Sequence, residues 1–209
     1  MNNYFKKYLK YKNKYLKLKN QNGGAIPKFI IHPDDITYIR NNLLNKATEF
    51  CGVFTFTALA NNVIGLEIDK SLITTGQTDG IRDWCMQPID NKLIWHSHPT
   101  VSRGLNNTGQ DRGPAGAYPS VEDILKVLKH DNELSILFVN EGYWIIFKQG
   151  IFADWNNPQI RQIIEYYSQE LIKHNNGKTL TRDRITIFVT KINEKLTQPT
   201  GLNIGFQYY

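Results

Sequence analysis

The apolar residues of this chain change period repeatedly along its length, and that alternation restricts the fold more than any other feature. Lys28–Ile31 reads as a short strand, and Pro33-Asp34 then opens a helix with Ile36, Ile39, Leu43, Leu44 and Ala47 on one face. β-type runs follow at 50–59, 63–68 and 71–75, then a less regular stretch to Pro88 and a strand at 92–97. Residues 100–119 form a long glycine-rich loop. A second helix starts at Ser120, with Val121, Ile124, Leu125 and Leu128 facing inward. Leu134–Val139 and Tyr143–Phe147 make a hairpin around Asn140-Glu141-Gly142, and a third helix over 158–173 carries Ile160, Ile163, Ile164, Tyr167 and Leu171. Residues 181–197 fit either period. The helical pattern through Ile185, Phe188, Val189, Ile192 and Leu196 is the longer of the two. Gly201–Tyr209 alternates as a last strand. Helices interspersed with strands in this way specify an α/β protein, a mixed sheet covered by helices.

Length and charge narrow the reading. At 209 residues the chain suits one domain with appendages. Its net charge of +6 is a property of one end: residues 1–19 hold seven lysines and no acid, while the remainder carries 18 basic and 19 acidic side chains. The net charge therefore gives no argument for a nucleic-acid-binding body. In the basic segment Tyr4, Tyr8, Tyr11, Tyr15 and Leu18 share one helix face, and Asn22-Gly23-Gly24 ends it as a linker. Residues 1–24 are thus an arm. It serves either as a solubilising or weakly docking element, or as an electrostatic contact to a polyanion through residues 1–19. The arm also resembles N-terminal segments of proteins from giant DNA viruses. No apolar run approaches the ~18–20 residues of a membrane span, so no membrane insertion is expected. Two cysteines, Cys51 and Cys85, and no apolar leader point to an intracellular, reducing compartment, host cytoplasm or virion if the protein is viral.

The chemistry lies in Trp95-His96-Ser97-His98-Pro99 and Tyr118-Pro119-Ser120-Val121-Glu122-Asp123. On a strand, residues i and i+2 share a face, so His96 and His98 can aim two imidazoles at one ion. Asp123, in the first turn of the next helix, offers a third ligand. Two histidines and a carboxylate, with a fourth position left for water, match a catalytic zinc site rather than a closed structural one. Each piece has a plainer explanation: an H-x-H pair arises by chance, and Ser120-x-x-Asp123 is equally a helix N-cap. In order, with a strand before and a capped helix after, they carry more weight.

H-S-H-P followed by P-S-x-x-D is similar to the signature of the JAMM family (also called MPN+), zinc metallopeptidases that include deubiquitinating isopeptidases. The family's further element, a glutamate in an E-x-x-G context before a hydrophobic strand, has its counterpart in Glu49-Phe50-Cys51-Gly52. The resemblance spans roughly residues 30–150. It implies a JAMM-type domain over 25–155, with the helices and final strand of 156–209 packed on it. It also implies one Zn²⁺ held by His96, His98 and Asp123, Glu49 as the general base, and Ser120 as the hydrogen-bond donor to the oxyanion. The implied substrate is a conjugate of ubiquitin or a ubiquitin-like modifier. The rival implied by the same family is a catalytically inactive scaffold in a larger assembly, and such versions generally lack the ligand set. Glu67 is the competing glutamate, without the glycine context. The chain departs from the family in the twenty residues Thr100–Pro119 between the two motif halves, longer than the usual spacing. That loop reads as a flap, a substrate-contacting rim or a block. Cys51 reads as core, and His32, His130 and His174 as capping or surface residues.

Overall fold

A computed structural model describes residues 28–59, 61, 63–75, 93–100, 116–129, 134–148, 157–173 and 181–209. The basic arm, most of the Thr100–Pro119 loop, Cys85, His130 and His174 lie outside the described residues.

The described elements run β1 (Lys28–Ile31), α1 (Pro33–Asn42), β2 (Phe50–Ala58), β3 (Val63–Ile68), a 3-10 turn (Lys70–Leu72), β4 (Thr74–Thr75) and β5 (Leu93–Ser97). They continue with α2 (Val121–Lys129), β6 (Leu134–Val139), β7 (Gly142–Lys148), α3 (Pro158–Lys173), α4 (Arg182–Thr200) and β8 (Leu202–Tyr208). Among the described residues the strands make one eight-stranded sheet in the order β1-β3-β2-β5-β6-β7-β8, with β4 beside the start of β2. The pairs β1·β3 and β5·β6 are parallel and the rest antiparallel, so the sheet is mixed as expected. β2 joins its two halves: Phe54–Ala58 pair with β3, and Cys51–Val53 pair with β5.

Side-chain alternation sorts the core onto the two faces. Phe29, Ile39, Leu66, Trp95, Ile136 and Phe138 pack on the face covered by α1. Ile124, Leu137, Trp144, Ile164, Phe188 and Ile192 pack on the other, beneath α2, α3 and α4. β6 supplies both faces and is buried at every position, as a central strand must be. The glycine of the E-x-x-G stretch has a packing reason. Gly52 pairs directly with Trp95, and a Cβ on it would stand 3.0 Å from the indole.

Most sequence-based boundaries agree with the structure to within a few residues. Residues 182–200 are helical: Ile185, Phe188, Ile192 and Leu196 are buried while Ile187 is exposed, so the 3.6-residue period wins. The helix ends at Gly201, whose φ of 65° is the left-handed cap conformation. Two expectations need correction. The run at 71–75 is not a continuous strand, because the Asp69 side chain accepts a hydrogen bond from Ser71 N and winds Lys70–Leu72 into a 3-10 turn, leaving two residues to pair as β4. Ala47 is not on the buried face, because α1 stops at Asn42 and only Leu43 and Leu44 keep contact with the core through the turn. Cys51 is buried as expected, but its sulfur is disulfide-bonded, which removes the cysteine count as a pointer to a reducing compartment. His32 caps α1, its Nδ1 accepting from Asp34 N. No helix among the described residues is long and apolar enough to cross a membrane.

Candidate metal centre

β5 and β6 pair in parallel and α2 connects them, so the three form a β-α-β crossover. In such a unit the helix runs back against the strands, and its N-terminus lies at the C-terminal end of the first strand. His96 and His98 sit at that end of β5, and Asp123 is in the first turn of α2. Topology alone therefore brings the three together, whatever the length of the connection.

The three side chains are buried, and one ligand atom from each lies within 4.8 Å of the others. Asp123 Oδ1 is 3.1 Å from His96 Nε2, and Asp123 Oδ2 is 3.7 Å from His98 Nε2. The two imidazole centroids are 5.3 Å apart with planes inclined at 64°, so the rings converge without stacking. His98 is oriented from behind: its Nδ1 lies 2.6 Å from the Gly116 carbonyl, which can only accept, so Nδ1 carries the proton and Nε2 presents its lone pair to the centre. Gly116 is tucked against Tyr118, where a Cβ would stand 2.8 Å from the ring, and the neighbouring Ala117 carbonyl accepts from Trp144 Nε1 at 3.0 Å.

Asp123 is fixed by the cap that the sequence also permitted. Ser120 N donates to Asp123 Oδ2 at 2.7 Å and Asp123 N donates to Ser120 Oγ at 3.1 Å, the reciprocal pair of a capping box. The two explanations of Ser120-x-x-Asp123 are thus compatible: the cap aims the carboxylate at the histidines. Ser120 itself is exposed above the buried ligands.

Burial disfavours charge on Asp123, but His96, His98 and the Ser120 hydrogen bond outweigh it and hold the carboxyl well below the usual carboxylate range. For His96 burial likewise favours the neutral ring. The Asp123 and Glu49 carboxylates overcome it, against the opposing charge of Lys126, and raise its pKa. Glu49 is thereby placed near the centre. It directly precedes β2, two residues before Cys51, which pairs with His96. Glu67, the rival, is exposed on β3 opposite Thr55.

The donor set suits a divalent metal ion. Two imidazole nitrogens and a carboxylate oxygen suit zinc and other borderline cations. His96 Nε2 is buried with no hydrogen-bond partner: Asp123 Oδ1 lies at ion-pair distance but out of hydrogen-bond geometry. A buried ring nitrogen left in that state calls for a ligand. Sequence reasoning missed Gly116, Ser97 and Thr100. Gly116 acts through its backbone carbonyl and leaves no side-chain signal. Ser97 sits between the two histidines, and its position in the alternation could have marked it.

Comparison with protein-family models, with curated proteins and with solved structures finds no match to this chain.

Proposed function

We propose that the protein is a zinc-dependent metallopeptidase of the JAMM type that hydrolyses an isopeptide or peptide bond, with a conjugate of ubiquitin or a ubiquitin-like modifier as its substrate. The observation that carries this reading is the buried His96–His98–Asp123 cluster, whose ligand atoms lie within 4.8 Å of one another, with Glu49 two residues before the ladder partner of His96. Zn²⁺ held by these three would supply a Lewis acid that polarises the scissile carbonyl and activates water. Glu49 takes the proton of the attacking water and returns it to the leaving amine. A carboxylate so placed contributes typically 10²–10⁴-fold. Ser120 donates its hydroxyl hydrogen, which the bond from Asp123 N does not use, to the carbonyl oxygen as that oxygen gains charge. His98 is kept in the right tautomer by the Gly116 carbonyl, and Asp123 is kept in place by the cap.

The test is metal content followed by turnover. Elemental analysis of the purified protein should find one zinc per chain, and a ubiquitin–lysine isopeptide conjugate should be cleaved in a chelator-sensitive way. His96→Ala and Asp123→Ala should each lose both properties while remaining folded. Full zinc in those variants would refute the ligand set, and zinc without cleavage of any conjugate would refute the substrate class.

A further inference from the structure

Glu49 is two residues outside Cys51↔His96, the outermost pair of the β2·β5 ladder, in the 43–49 stretch where α1 has ended and β2 has not begun. On the other side of β2 the Phe50↔Thr75 pair with β4 reaches one residue nearer, but no ladder pair includes Glu49. A general base must stay within hydrogen-bond reach of the proton that it takes, so the backbone that carries it has to be fixed.

Two hydroxyl side chains from the metal-ligand stretch grip the segment at its two ends. On the near side, Ser97, fully buried between the two histidines, accepts from Phe50 N at 3.0 Å and lies 3.4 Å from Phe50 O, towards which it can donate. On the far side, Leu44 O accepts from both Thr100 N at 2.9 Å and Thr100 Oγ1 at 2.7 Å. Leu44 is in turn anchored by its own N–H to Ile39 O and by burial. The metal ligands do not depend on these bonds: His98 N donates to Phe138 O, β5 pairs with β6, and Asp123 is held by its cap.

We propose that Ser97 and Thr100 are positioning residues, a polar clamp through which the His96–His98 stretch fixes the backbone of residues 44–50 and so sets Glu49 against the metal centre. The clamp makes the base and the metal ligands one rigid unit although they come from different elements. The proposal rests on the metallopeptidase reading for its purpose. Its geometry can be read without turnover. Side chains that hold a catalytic group in this way matter because a displacement of about 1 Å can cost about 10²-fold in rate.

The experiment uses the full chain loaded with Co²⁺, and compares the wild type with Ser97→Ala, Thr100→Val and the double variant. Each variant should bind one Co²⁺. Pseudocontact shifts of Leu134–Val139 should be unchanged, while those of residues 47–50 should collapse towards averaged values in the double variant. In the zinc form, turnover of the ubiquitin conjugate should fall about 10²-fold with KM unchanged. Ser97→Thr, which keeps the hydroxyl, should restore it, and in a Glu49→Gln background the double variant should cost nothing further. Unchanged shifts at residues 47–50 would overturn the clamp, and so would equal loss along β6, which would make Ser97 and Thr100 general supports. A protein that binds no Co²⁺ would overturn the metal-centre reading and the clamp's purpose together. Bound Co²⁺ with the expected shift pattern but no cleavage would leave the clamp standing and remove the hydrolase.

Discussion

At the scale of single residues, the proposed mechanism gives His96, His98, Asp123 and Glu49 separable duties, and the separation can be measured. Glu49 is assigned a proton rather than the metal, so Glu49→Gln should keep zinc and fold while losing the acceptor. Turnover should fall by 10²–10⁴-fold, about 3–5 kcal/mol of barrier, mainly in kcat. Glu67→Gln is the matched control, exposed and remote, and should be neutral. Equal activity in both variants would remove Glu49 from the mechanism. The buried ion pair gives a second prediction in the chelated protein. Asp123 is lowered from 3.8, so its contribution to stability is present above that pH and is lost as the pH falls through the lowered value. His96 is raised from 6.5, so its contribution is present below that pH and is lost as the pH rises through the raised value. The melting-temperature gap between the metal-free wild type and Asp123→Asn should therefore be widest between pH 3.8 and 6.5 and narrow on both sides. A gap independent of pH would show that the pair does not form.

At the scale of elements, the sheet's last strand shows how a free edge is managed. Among the described residues β8 pairs with β7 alone, and an unpaired strand edge invites association with another chain. α4 closes that side with one side chain. Asn193 Nδ2 donates to Ile204 O at 2.7 Å and Asn193 Oδ1 accepts from Ile204 N at 2.8 Å, so a single amide mimics a strand partner. Thr197 Oγ1 adds a bond to Leu202 O. Asn193→Ala strands both backbone groups of Ile204 where water enters poorly, and should cost about 1–3 kcal/mol in denaturant unfolding. Asn193→Asp, which keeps the acceptor and loses the donor, should fall between. No loss in Asn193→Ala would show that water satisfies Ile204 as well as the amide does.

For the whole molecule, the candidate metal centre stands at the end of β5, while the two cores lie along the sheet faces and include none of its three residues. Metal removal should therefore leave the fold intact. The chelated protein should keep its far-ultraviolet dichroism and a cooperative melt. Adding zinc back should raise the melting temperature by mass action, about 2.7 kcal/mol at a hundredfold excess over Kd. Unfolding on chelation would make the site structural. Such independence belongs with an open catalytic position, since a metal that holds the fold together is usually enclosed by four protein ligands.

Much of this was legible in the sequence because it is local. Period separates helix from strand within a dozen residues, alternation puts His96 and His98 on one face, and Ser120-x-x-Asp123 marks a cap. What the sequence left open was also local in origin: 71–75 carries strand-type residues, but the Asp69 side chain turns the chain first. Tertiary structure decided everything that needed two distant segments to meet. The parallel pairing of β5 with β6 carries the first turn of α2 to the end of β5, so Asp123 meets the histidines across the long loop. The Cys51↔His96 register brings the start of β2, which Glu49 precedes, beside the strand that carries the histidines. Ser97 and Thr100 bond to backbone atoms 47 and 56 residues away, and the Gly116 carbonyl bonds to the His98 imidazole 18 residues away. A sequence pattern reports the faces that each element must bury. Which elements those faces are buried against depends on the whole sheet, and that assembly brings His96, His98 and Asp123 together.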